Sequence, residues 1–135
     1  MGTLGVVLDT NVLVSALGFG GPPLDVLLRT FDDEVRLLAS EATLDELERV
    51  MHYDRLPFTA TDRVQYLAIL RREADIIEPD DSVEVARDSD DDKFLGVALE
   101  GDADYLVSGD DDLLSLDSYG GIAIVTPDEF MTCVE

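Results

Sequence analysis

Short, continuous apolar runs constrain this chain most, and two of them stop on an aspartate. Leu4–Leu8 (LGVVL) is rich in β-branched residues and ends at Asp9, and Tyr105–Ser108 (YLVS) ends at Gly109-Asp110. Val35–Ala39 (VRLLA), Ile122–Val125 (IAIV) and the pair Ile76-Ile77 are of the same kind. A strand with one wet face alternates apolar and polar residues, so unbroken runs predict strands covered on both faces. Segments with helical spacing lie between them. One is opened by Pro22-Pro23 and runs through Leu28. A second runs from Ser40 to Met51, with Ser40 or Thr43 as cap and Leu44, Leu47, Val50 and Met51 inward. A third covers Thr61–Asp75, with Thr61 as cap and Val64, Leu67, Ala68 and Leu70 inward. Asp91–Glu100 follows, then a helical turn at Leu113–Leu116, and Thr126-Pro127 open a last helix. Gly18–Gly21 with Pro22-Pro23 read as a loop. Strands alternating with helices predict one domain over residues 1–135, a three-layer α/β/α sandwich with a mostly parallel sheet of about four to five strands.

The charge narrows what such a domain can contact. Nine Lys+Arg stand against thirty-one Asp+Glu, a net charge of -22, while 46% hydrophobic residues supply a real core. A general basic groove and a polybasic membrane anchor are excluded. One cysteine, Cys133, excludes an internal disulfide, a cysteine zinc cage and a CxxC redox motif. Asp9 and Asn11 interrupt the apolar N-terminal patches, so neither a signal peptide nor a membrane span is expected, and the expected location is cytoplasmic. The acidity reads either as plain solubility or as halophilic adaptation to a salt-rich cytoplasm. Arg over Lys and the excess of Asp favour the second; Lys93 is the sole lysine.

In parallel sheets, ligands gather at the carboxyl ends of the strands, where Asp9 and Asp110 fall. A third acidic position lies in Asp88-Ser89-Asp90-Asp91-Asp92. Asp91, Phe94, Leu95 and Ala98 lie at i, i+3, i+4 and i+7, which puts Asp91 on the helix face expected to meet the sheet. Glu46 and Glu48 border opposite edges of the inner stripe of their helix, and helical geometry does not choose between them. If Asp9, Glu46, Asp91 and Asp110 converge, they repel one another, and a divalent cation removes that penalty. All-oxygen ligands suit Mg²⁺ or Mn²⁺, and the single histidine, His52, has no partner for zinc. Acidic, hydrated metal sites of this kind act on phosphate esters. Ser15, Ser40 and Ser108 lack a His partner, so a covalent nucleophile is not expected.

At these residues the chain resembles the PIN-domain family, and within it the toxin ribonucleases related to VapC. The resemblance rests on VVLDTNVLVSAL at 6–17, ASEATLDELERVM at 39–51, RDSDDDKFLGVALEGDADYLVSGDDDLLSL at 87–116 and IAIVTPDEF at 122–130. It implies a metal-dependent endoribonuclease using one or two Mg²⁺ or Mn²⁺ ions. It matches Asp9, Glu46, Asp91 and Asp110 to the family's acidic positions, favouring Glu46 over Glu48. It gives Glu46 the binding of a second ion or the orienting of the attacking water. Asp112 falls on a further acidic position that assists the metal, and Asp88 on a recurrent Asp without an assigned role. Asn11 and Ser108 match polar positions that orient the carboxylates. Ser89 stands where the family usually has Pro. The resemblance further implies a small antitoxin partner and a homodimer.

An RNA substrate is itself negative, and Arg49, Arg55, Arg63, Arg71 and Arg72 fall within residues 49–72 against Asp54 and Asp62. Ordinary exposed helix faces would explain them; so would a basic rim that meets the RNA backbone, with Tyr53, Phe58 and Tyr66 available to stack on bases. The alternatives are a non-catalytic RNA- or protein-binding module and a housekeeping RNA-processing nuclease. A signalling receiver domain would need an acidic pair in the first loop and a Lys after its fifth strand. A haloacid-dehalogenase-like phosphatase needs DxD where this chain has DTN. A flap-endonuclease-like enzyme needs insertions that are missing here.

Overall fold

The computed structural model describes residues 3–78 and 89–134, and in the second segment the side chains from Lys93 onward. Six strands form one sheet: β1 (Leu4–Leu8), β2 (Val35–Ala39), β3 (Asp75–Ile76), β4 (Tyr105–Val107), β5 (Ser118–Tyr119) and β6 (Ile122–Val125). Their order is β3-β2-β1-β4-β6-β5. All pairings are parallel except β5 against β6. The expected mostly parallel sheet is present, with β5 as the strand beyond the four to five expected. Gly120 and Gly121 join β5 to β6 with φ of 59° and 85°. Two consecutive positive φ values are what a two-residue hairpin turn needs, and glycine adopts them without a Cβ clash.

The helices are α1 (Thr10–Phe19), α2 (Gly21–Arg29), α3 (Glu41–Met51), α4 (Ala60–Glu73), α5 (Ser89–Glu100), α6 (Asp111–Leu114) and α7 (Pro127–Val134). Both faces of the sheet are covered, as the unbroken apolar runs require. Val6, Leu8, Leu37 and Val107 pack with Val12, Leu13, Val26, Leu44, Leu47 and Phe130, which come from α1, α2, α3 and α7. Val7, Leu38, Leu106 and Ile124 face the other way, into Phe94, Leu95, Val97 and Ala98 of α5 and Leu113 of α6. Adjacent residues of one strand therefore belong to different cores, the period-two signature of a strand between two helical layers.

Four expectations need correction. Residues 10–19 form a helix that takes in Gly18 and Phe19 from the expected loop; Gly20 ends it, and α2 starts at once at an angle of 106°. The cap of α4 is Thr59, not Thr61. Thr59 accepts the Asp62 amide at 3.0 Å while Asp62 accepts the Thr59 amide, a reciprocal capping box. Val64 and Ala68 of α4 face solvent, and Leu67 and Leu70 turn inward. The helical turn after β4 covers Asp111–Leu114 rather than Leu113–Leu116. Ser40 does cap α3, with Thr43 as its reciprocal partner. Among the described residues no single helix is long and apolar enough to cross a membrane.

The strand order places the site. From β1 the chain moves to β2 and β3 on one side, then crosses through α5 to β4 on the other side of β1. The carboxyl ends of β1 and β4 are neighbours from which successive connections diverge, and such a switch point leaves a crevice above the sheet.

Candidate metal centre at the ends of β1 and β4

Asp9 does two jobs. It leaves β1, and it is the N-cap of α1, its Oδ1 accepting the Val12 amide at 2.9 Å. A carboxylate is favoured there by the positive end of the helix dipole. Its Oδ2 accepts the hydroxyl of Ser108, the residue that follows β4. The same hydroxyl oxygen accepts the backbone N–H of Asp110 at 2.9 Å. Ser108 is fully buried and Asp9 only 4% exposed. One hydroxyl thus ties the carboxylate at the end of β1 to the chain leaving β4. Asp110 is the N-cap residue of α6 but makes no side-chain cap bond, so its carboxylate is not committed to the helix.

Burial pushes the Asp9 carboxyl above its usual value of 3.8. The hydrogen bonds from Ser108 and Val12 pull it back, and the charge of Asp110 pushes it up again. Asp9 is therefore a desolvated carboxylate with a second acidic group beside it, a combination that a cation relieves.

A cavity of about 290 Å³ opens over these groups. Asp9, Thr10, Asn11, Glu46, Arg49, Val50, Tyr53, Arg55, Phe94 and Asp110 line it. Glu46 enters from α3 with a side chain only 11% exposed, whereas Glu48 is on the exposed surface of the same helix. Glu46 Oε1 accepts from Lys93 Nζ at 2.8 Å, and Oε2 accepts from the Thr10 hydroxyl. Arg49 Nη2 stands 3.9 Å from Oε1.

The structure thus brings Asp9, Glu46, Asp110 and Asn11 to one cavity. Asp91 falls in the first turn of α5, one turn before the cavity-lining Phe94, but its side chain lies outside the described residues. Asp88 lies outside them altogether. Asp112 sits on α6 away from the cavity lining. Among the described residues, no three acidic, histidine or cysteine side chains meet closely enough to hold an ion by themselves. Asp9 and Asp110 form a hard, all-oxygen pair that fits Mg²⁺ or Mn²⁺ as part of a larger set.

The five arginines do not share one fate. Arg49 and Arg55 line the cavity, and the Arg55 guanidinium lies 5.0 Å from the Tyr53 ring centroid. Arg63 donates to the Phe58 carbonyl, Arg71 pairs with Glu41 at 2.8 Å, and Arg72 pairs with Glu73. Tyr53 is exposed, but Phe58 is buried edge-on against Tyr66, so Phe58 is not available to stack on a base. Thr10 and Lys93 are the contacts that reading the sequence missed. A signal existed for each: Thr10 follows the strand-end aspartate, and Lys93 is the single lysine, placed directly after the aspartate run.

Comparison with known proteins agrees with this geometry. An uncharacterised protein of Methanocaldococcus jannaschii, MJ1680, is 35% identical over 118 residues, covering 82% of this chain and 74% of that protein. In fold, the chain is similar to a structure of VapBC2 from Rickettsia felis bound to a DNA fragment from the promoter. The TM-score is 0.65 at 14% identity, covering 90% of this chain and 97% of that one. It is also similar to VapBC-1 from nontypeable Haemophilus influenzae, with a TM-score of 0.63 at 12% identity over 93% and 99% of the two chains. The family model described as PIN domain matches residues 5–112, a span that includes Asp9, Glu46 and Asp110. The chain belongs to the PIN domain family.

Proposed function

We propose that the protein is a Mg²⁺- or Mn²⁺-dependent endoribonuclease that hydrolyses RNA phosphodiester bonds, and that it is the toxin of a toxin–antitoxin pair. Membership of the PIN family supports a hydrolase acting on nucleic acid. The observation that carries the reading is the Ser108 hydroxyl, which holds the buried Asp9 carboxylate and the Asp110 backbone together at the sheet's switch point. Asp9 and Asp110, completed by Asp91, would hold one or two ions, with Asp112 and Asp88 as outlying carboxylates. A bound ion would lower the pKa of a water and offset charge on the phosphoryl oxygens.

The remaining work belongs to this chain's own groups. Ser108 and the Val12 amide orient Asp9 and favour its ionised form. Asn11 lines the mouth of the cavity beside them. Arg49 and Arg55 supply positive charge at the rim, where the phosphate backbone of an incoming strand would pass. Tyr53, exposed beside Arg55, offers a face on which an unpaired base stacks. Arg63, Arg71 and Arg72 extend the proposed RNA-binding edge along α4.

The test is cleavage of a mixed RNA pool in molar KCl with Mg²⁺ or Mn²⁺, comparing wild type with Asp9→Asn and Asp110→Asn. High salt is chosen because a net charge of -22 points to a halophilic cytoplasm as the working environment. Cleavage by wild type alone is expected, and equal cleavage by all three would overturn the reading. The similar chains come from structures of VapBC pairs, which supports a small antitoxin partner and a homodimer. Light scattering of the purified chain tests the dimer, with twice 14.8 kDa expected.

A further inference from the structure

Both oxygens of Glu46 are already taken by donors from this chain. Oε1 accepts from the Lys93 ammonium at 2.8 Å, and Oε2 accepts from the Thr10 hydroxyl. The two charged side chains are only 11% and 23% exposed, so little water screens them from each other. The Asp9–Asp110 side of the same cavity differs. There the Asp9 carboxylate is oriented by the neutral Ser108 hydroxyl and the Val12 amide, the Asp110 carboxylate makes no side-chain cap bond, and among the described residues no ion pair reaches either of them.

Lys93 is also the single lysine in a chain that otherwise carries eight arginines. An ammonium is a compact point charge on a flexible stem, suited to reaching from α5 to one oxygen on α3. A second divalent ion on Glu46 would have to displace it, or else sit beside a positive charge in a poorly screened cavity.

We infer that Lys93 is a built-in counter-cation that withdraws Glu46 from the ligand set, so that the cavity binds one divalent ion, from the Asp9–Asp110 side, rather than two. This rests on the reading that the cavity holds Mg²⁺ or Mn²⁺, and it departs from the role for Glu46 that the family resemblance implied.

The experiment is a Mn²⁺ titration of the full chain in molar KCl, with free Mn²⁺ followed by electron paramagnetic resonance. Wild type is expected to bind one Mn²⁺ per chain. Glu46→Gln should keep that stoichiometry, with affinity changed by less than about threefold. Lys93→Met frees the carboxylate and should admit a second Mn²⁺, which the double variant Lys93→Met/Glu46→Gln loses again. Lys93→Arg, which keeps the charge, should still bind one; it also guards against reading a folding defect of Lys93→Met as an effect on metal. The inference is overturned if wild type binds two ions, if Glu46→Gln weakens binding by about tenfold or more, or if Lys93→Met binds only one. Absence of Mn²⁺ binding by wild type would sink the metal-dependent reading as well, whereas binding lost only with Glu46→Gln sinks this inference alone.

Discussion

Replacing Ser108 by alanine removes one oxygen and two hydrogen bonds from a fully buried position. The first bond is donated to Asp9 Oδ2, and the second is accepted from the Asp110 amide at 2.9 Å. A hydrogen bond to an ionised group is worth roughly 1.5–3 kcal/mol net, and an ordinary one about 1. Ser108→Ala is therefore expected to lower stability by about 2–4 kcal/mol near pH 7, a large share of the roughly 5–15 kcal/mol typical of a domain. The loss should depend on pH. The Asp9 pKa is raised above 3.8 by burial, and Ser108 is the largest influence pulling it back down. Without Ser108 it rises further. A raised carboxyl pKa means that the folded state takes up the proton more readily than the unfolded one. The stability linked to this group is then full below about 3.8 and declines as pH rises through the folded value. As pH falls and the carboxyl takes up its proton, both lost bonds become ordinary ones, and the difference between variant and wild type should shrink toward about 2 kcal/mol. Urea unfolding in molar KCl with a chelator, run near pH 7 and near pH 4, measures both numbers. A difference below about 0.5 kcal/mol near pH 7, or equal differences at the two pH values, would refute the bridge.

Asp9→Asn should abolish RNA cleavage while stabilising the metal-free protein near neutral pH, because an amide carries no charge to desolvate and still accepts the Val12 amide. The gain should fade toward pH 4, and a variant less stable than wild type near pH 7 would contradict it. Tyr53→Ala and Arg55→Ala should each weaken binding of a non-cleaved single-stranded RNA about tenfold, with unfolding midpoints unchanged; fluorescence anisotropy with unchanged affinity would remove both from the proposed interface. Ser40→Ala breaks the capping box of α3 and should lower stability by about 1–2 kcal/mol in urea, against less than about 0.5 if the cap is idle.

How much of this was legible follows from what each segment has to satisfy. The strands β1, β2, β4 and β6 announce themselves because both faces are buried and their runs are uninterrupted. Helix α1 escaped for a related reason. Val12, Leu13, Val14 and Ala16 are all buried, so its apolar residues surround the helix and leave no stripe to find. Gly18 made it look still more like a loop, yet its missing Cβ is what lets the Phe58 ring approach, 3.1 Å from where that atom would stand. In α4 the spacing of Val64 and Ala68 is helical, but spacing does not say which side is dry, and both face solvent. Strand β5 has two residues, one polar and exposed, and carries no apolar run to read. Asp9 and Asp110 were legible at the site because a carboxylate directly after a buried strand stands at the rim of the sheet. Glu46 was separable from Glu48 only through the family resemblance, and the structure puts Glu46 in the cavity wall. The ties to Lys93 and Thr10 join residues 47 and 36 positions apart, which no local pattern encodes.

The sheet's outer strands carry a consequence for how copies or partners can attach. Among the described residues, β3 and β5 close the two edges with two residues each. An edge that short gives an incoming strand very few backbone groups to pair with, one of the ways proteins avoid growing by sheet extension. Of the large apolar side chains left in water among the described residues, the three most exposed, Phe19, Leu28 and Val64, sit on α1, α2 and α4, while Tyr53 follows α3 and Ile76 lies on β3. Attachment to this fold is thereby directed to helix surfaces, where side-chain shape selects the partner, and away from backbone ladders that would accept almost any extended chain.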